Sequence, residues 1–157
     1  MKKLKFALIA LVIVITFSCS SSSSSDDDGG SDDTYIKFKV NGVQSNMLEP
    51  STITSMAASI IGSEDVGSDI RTMILRTPST AVAGTHALLD NPSDLTAYGA
   101  SYSFGDVNID ATSGSMIITN IGEEYMTGTF SFSTVVEGTT YNFTQGTFRV
   151  YKPTPVN

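Results

Sequence analysis

Tryptophan is absent from this 157-residue chain, and histidine and cysteine occur once each, as His86 and Cys19. A lone cysteine makes no internal disulfide and no cysteine-based metal site. With one histidine, a zinc ion could draw otherwise only on carboxylates. A Ser-His-Asp triad would have to use His86, and no Gly-x-Ser-x-Gly turn accompanies it. No Gly-Lys-Ser/Thr sequence is present to cradle a phosphate. These absences argue for a chain that is not an enzyme and needs no cofactor or metal, with His86 an ordinary strand or turn residue. The lack of tryptophan weakens a sugar-stacking platform, although Tyr98, Tyr102 and Tyr141 offer rings in its place.

Cations are also scarce, nine against sixteen acidic residues. Three of the nine, Lys2, Lys3 and Lys5, sit in the first five residues. The other six (Lys37, Lys39, Arg71, Arg76, Arg149 and Lys152) are spread along the sequence. Nucleic acid needs clustered Lys and Arg, so it is not an expected partner. Net charge of this sign favours solubility and disfavours anionic partners generally.

What the chain does have begins with those three lysines and the apolar run Phe6 to Phe17. That run fits a secretory signal, whose core is roughly 7 to 15 residues, and is short for a membrane span of about 20. Ser18-Cys19 at its end resembles the lipobox of bacterial lipoproteins, although Thr16 and Phe17 stand where the usual box has Leu and a small residue. The resemblance implies that Cys19 is acylated and becomes the new N-terminus. It also implies three acyl chains, and at about 0.8 kcal/mol per buried CH₂ these would hold the domain on the membrane without spanning it.

Ser20 to Ser25, Asp26 to Asp28 and then Gly29 to Asp33 contain no apolar residue to bury. This Ser/Asp-rich segment reads as a disordered tether, about 14 residues with a span of roughly 20 Å. Acidic residues soon after an acylated cysteine resemble the surface-export signal of Bacteroidota lipoproteins, which implies the outer face of the outer membrane. The organisation expected is a signal peptide at 1–18, an acylated cysteine and tether at 19–33, and one domain at 34–157.

From Thr34 onward the chain is rich in Thr, Ser, Gly, Ile, Val, Phe and Tyr, with turn residues at short intervals and no helical periodicity. This is an all-β pattern. Ile36, Phe38 and Val40 alternate with Lys37 and Lys39, and Asn41-Gly42 predicts a hairpin whose second strand starts at Val43. Met56 to Ile61 reads as a strand ended by Gly62 and a polar loop over 63–68. Ile70 to Leu75, apolar on both faces, reads as a central strand, and Gly84 to Leu88 as a short one. Tyr98, Ala100, Tyr102 and Phe104 share one face of another.

The C-terminal third predicts a three-stranded meander: Ser115 to Ile121, Tyr125 to Val136 and Thr140 to Tyr151. Phe143 is odd-numbered while Phe148 and Val150 are even, so a bulge is predicted at Gln145-Gly146. Gly128-Thr129-Phe130 recurs as Gly146-Thr147-Phe148. About nine or ten short strands fit a single antiparallel β-sandwich or a closed β-barrel.

Asp106, Asn108 and Asp110 alternate like the start of a calcium loop, but Ala111 and Ile117 occupy the positions that need Gly and Glu. A strand with Asn108 and Asp110 facing water explains them better. Asp90, Asn91 and Asp94 form a second oxygen cluster of equal weakness.

The segments Gly114 to Ile121, Met126 to Phe132 and Gly146 to Phe148, with Phe38 to Gly42 and Gly84 to His86, together resemble a group of small Bacteroidota lipoproteins classed only as a domain of unknown function. The resemblance covers most of Tyr35 to Lys152. It implies an all-β surface lipoprotein and carries over no catalytic or binding residues.

Three readings of function stand ahead of a hydrolase whose carboxylates nothing in the spacing pairs. One is a lipid-anchored binding or accessory module on the outer membrane, taking a glycan or an outer-membrane protein as partner. Another is a lipocalin-like barrel holding a small apolar ligand among Tyr98, Tyr102, Phe130, Phe132 and Phe143. Against it stands the plainer expectation that these rings fill the core. The third is a structural envelope lipoprotein.

Overall fold

Alternation along Tyr35–Val40 (β1) buries Ile36, Phe38 and Val40 and leaves Tyr35, Lys37 and Lys39 half-buried on the other side. This two-residue period continues through the computed structural model, which describes residues 33–89 and 94–154. The expected signal segment, Cys19, the expected tether up to Asp32, and Asp90 and Asn91 of the second oxygen cluster lie outside the described residues.

The expected hairpin follows β1. Asn41 and Gly42 both have positive φ, 47° and 83°, the mirror-image turn that matches strand twist, and Val43–Leu48 (β2) returns alongside β1. Nine further strands complete the described chain: β3 (Ser51–Thr54), β4 (Ala57–Val66), β5 (Asp69–Pro78), β6 (Gly84–Ala87), β7 (Gly99–Phe104), β8 (Val107–Asp110), β9 (Ser113–Ile121), β10 (Tyr125–Val136) and β11 (Thr139–Tyr151). One antiparallel sheet has the order β2-β1-β11-β10-β9-β6, and the other β3-β4-β5-β7-β8. The two sheets face each other as a sandwich, which settles against the closed barrel that the strand pattern had left open.

Three expectations need correction. Eleven strands stand among the described residues where nine or ten were expected, because the four-residue β3 has no reading of its own in the sequence. Gly62 does not end β4. Pairing continues through Ser63↔Thr72, Glu64↔Arg71 and Asp65↔Ile70, and only 67–68 turn. Backbone pairing with β5 overrides the polar side chains, and Gly62 lies beneath Ile36 and Met47 of the opposite sheet.

The bulge at Gln145-Gly146 is present, but its chemistry is divided between the two residues. Gln145, not the glycine, takes the positive φ of 53°. Register slips there against both neighbours: β1 pairs Lys37↔Thr147 and then Lys39↔Thr144, and β10 pairs Phe130↔Gly146 and then Phe132↔Phe143. Gly146 is required for proximity, since a Cβ there would strike the Phe130 carbonyl and ring. The repeated Gly-Thr-Phe is explained the same way. The two tripeptides run antiparallel, so Gly128 pairs with Phe148 while Phe130 pairs with Gly146, and each ring covers the other's glycine.

Between the sheets lies one continuous core that includes Ile36, Phe38, Met73, Leu75, Phe143 and Phe148. Each large apolar side chain buried there contributes about 1.5 to 3 kcal/mol. The two-residue turns at 41–42, 67–68, 105–106 and 137–138 lie at one end of the sandwich. The first and last strands, β1 and β11, respectively begin and end at the other end, where Tyr35 pairs with Arg149 and Glu49 N–H donates to the Thr34 carbonyl at 3.1 Å.

Candidate functional site

Four of the five rings singled out in the sequence meet in the interior. Tyr102, Phe130, Phe132 and Phe143 are each 4% exposed or less. Phe132 stacks on Phe143 at 4.0 Å, Tyr102 meets Phe143 at 5.0 Å and Phe38 joins them at 6.0 to 6.1 Å. They pack on one another between the sheets. Tyr98 is elsewhere, stacked on His86 at 3.8 Å with ring planes 9° apart. The Val82 N–H donates to the Tyr98 hydroxyl at 3.3 Å, and His86 Nε2 donates to the Val82 carbonyl at 2.9 Å. This pair fastens the segment before β6 to the start of β7.

The oxygen clusters resolve into local bonds. Asp110 accepts from the Ser101 hydroxyl at 2.6 Å across β7 and β8. Asp94 accepts from the hydroxyl and the backbone N–H of Thr96, which holds its carboxyl below the ordinary range. No group of three or more His, Cys, Asp or Glu converges among the described residues.

The outer faces are where the chain places distinctive chemistry. The strands of the six-stranded sheet contain Lys37, Lys39 and Arg149 and no acidic residue, whereas those of the five-stranded sheet contain Glu64, Asp65, Asp69 and Asp110 with Arg71 and Arg76. Half of the six cations from Thr34 onward thus share one face, although the sequence shows them as scattered. Antiparallel pairing of β1 with β11 is what gathers them: Tyr35 lies opposite Arg149 and Lys37 opposite Thr147, across more than a hundred residues of chain.

Aromatic rings hold these cations. Lys37 Nζ lies 4.5 Å from the Tyr35 ring centroid, and Arg149 Cζ 4.3 Å from that of Tyr125. Tyr125 stacks in turn on Tyr151 at 5.3 Å, because the first residue of β10 pairs with the last of β11. Desolvation, with the charges of Glu124 and Asp33 and the neighbouring Tyr151, pushes the Tyr125 phenol up to about 12, so it stays a neutral donor. The sequence signal for this group was the terminal position of both tyrosines on a predicted hairpin.

Beside the cations lies a hollow of about 320 Å³ over the bulge, walled by Ser115, Ile117, Thr129, Ser131, Gln145 and Thr147. A smaller one of about 190 Å³ lies on the opposite sheet among Thr72, Ile74, Ser101, Ser103, Asn108 and Asp110.

The sheets are clasped where β2 approaches β4. Glu64 accepts from Ser45 Oγ at 2.6 Å, Asn46 N–H at 2.8 Å and Arg71 Nη1 at 2.6 Å. Burial alone would raise its pKa, but these hydrogen bonds and the Arg71 charge outweigh that and hold the carboxyl below its ordinary value. Arg71 lies over the Phe104 ring at 5.0 Å, and its buried Nε has no partner among the described residues.

Two open sheets around a filled interior, with their distinctive chemistry on the outside, define the class: an all-β sandwich domain. The chain belongs to a family described as a domain of unknown function, DUF6252, whose sequence model matches residues 51–150. That span takes in β3 to β10 and nearly all of β11, and leaves out β1 and β2. No curated protein and no solved structure matches the chain.

Proposed function

We propose that this chain is a non-catalytic, lipid-anchored binding module of the outer membrane, attached through Cys19 and facing the cell exterior, with the outer face of the six-stranded sheet as its contact surface. The observation that carries the reading is the filled interior. Rings that would line a ligand cavity pack on each other instead, so recognition falls to the outer faces. The geometry of the ends supports it too. A tether joining at Asp33 would meet the domain at the end opposite the four tight turns, which leaves those turns and the sheet face free for a partner.

Metabolic labelling with a clickable palmitate analogue tests the attachment. Label in the parent chain and none in Cys19→Ala is the expected result, together with loss of the protein from intact cells treated with an external protease. Equal labelling of both chains, or full protection from protease until cells are lysed, would refute the anchoring and the exposure respectively.

A further inference from the structure

We propose that the outer face of the six-stranded sheet binds an acidic polysaccharide, a chain bearing uronic acids, along the line Arg149, Lys37 and Lys39. This rests on reading that face as the contact surface and is independent of the lipid anchor. Lys37 and Lys39 are about 7 Å apart along β1, and Arg149 on β11 extends the series toward the tether. The cations therefore form a line along the strands. A membrane surface at the tether end would meet only one end of that line, whereas a linear polyanion can follow it.

None of the three cations has a carboxylate partner within ion-pair distance among the described residues. Tyr35 and Tyr125 hold Lys37 and Arg149 in place from below, which lowers the ordering cost of binding. An arginine fork suits a carboxylate in two-pronged geometry. Next to the line are side chains that can hydrogen-bond sugar hydroxyls: Asn46 opposite Lys37 on β2, Gln44 opposite Lys39, and Thr147 and Thr129 at the hollow. Glu124 and Asp33 close the tether end with negative charge around Tyr125. A bound polyanion therefore runs from Arg149 toward Lys39 and the distal turns.

Calorimetric titration of the acylated full chain, in a neutral detergent, uses three probes: polygalacturonate, dextran, and single-stranded DNA of comparable charge. Polygalacturonate is expected to bind, with a log–log salt slope of about −2 if three contacts release counterions as on single strands. Dextran is expected not to bind, and DNA to bind at least tenfold more weakly. K37E/K39E lowers polygalacturonate affinity by roughly tenfold or more. Because Lys37 and Lys39 are half-buried on β1, melting temperature is read beside affinity, and K37Q/K39Q, which keeps side chains of similar reach and removes only the charge, is expected to lose affinity as well. R76E on the other sheet leaves affinity unchanged.

No binding of polygalacturonate, equal binding of dextran, equal or tighter binding of DNA, or unchanged affinity in K37E/K39E would each overturn the proposal. The palmitate experiment reads attachment alone, so either reading can fail while the other stands.

Discussion

The two sheets share one core and differ in what they show to solvent. The six-stranded sheet has tyrosines, hydroxyls and three cations with no acid in its strands, whereas the five-stranded sheet turns Asp65 and Asp110 outward with Arg76 and keeps the Glu64–Arg71 pair against the other sheet. Net charge describes such a molecule from far away. Within a Debye length of about 10 Å a partner meets local charge instead. An acidic chain can therefore present a basic face, and the composition argument against anionic partners does not reach it.

Breaking what the sheets share should have the largest effect. Phe143→Ala removes a ring that contacts Phe38, Tyr102 and Phe132, from both sheets, and is expected to cost about 3 to 5 kcal/mol in denaturant unfolding. Glycine substitutions then separate the sheets. Gly146→Ala on the first meets backbone as well as the Phe130 ring and should cost about 1 to 3 kcal/mol. Gly62→Ala on the second meets the Ile36 and Met47 side chains at 3.0 Å, part of which can move aside, so its cost should be the smaller.

The clasp between the sheets gives a pH test. Glu64 has a lowered pKa in the folded state, so its contribution is present above the ordinary value of 4.5 and is lost as pH falls through the lower folded value. Glu64→Gln should cost on the order of 1 kcal/mol at pH 7, with solvent screening at the rim keeping it modest, and should flatten the acid limb of the stability profile below pH 4.5. An unchanged acid limb would remove Glu64 from the account. The smallest effect is spectroscopic. Glu124→Gln takes away a charge and a hydrogen bond that disfavour the phenolate, so the tyrosine titration near 12 should move toward the ordinary range by ultraviolet absorbance.

Legibility in the sequence followed interaction distance. The Asn41-Gly42 hairpin, the β9–β11 meander and the slip at 145–146 were readable because turn chemistry and alternation are local. Gly62 misled because a glycine between an apolar run and polar residues looks like a stop, and nothing in the sequence announces that Ile36 and Met47 cover it. The barrel and the sandwich could not be separated, since both need the same alternating strands. Of the five rings offered as a cavity wall, Tyr102, Phe130, Phe132 and Phe143 do meet in space while Tyr98 stacks on His86 instead, and sequence does not tell a cavity wall from a core. The cation line was invisible for a topological reason: β1 lies against β11, so neighbours in space come from opposite ends of the domain.

Lysine footprinting reads the contact face itself. The chain is acetylated briefly with and without polygalacturonate, and each lysine is quantified by mass spectrometry. Lys37 and Lys39 on the sheet face should lose reactivity in the complex, while Lys152, beyond the end of β11, keeps its own. Equal protection of all three, or none at Lys37 and Lys39, would contradict the assignment of this face as the contact surface.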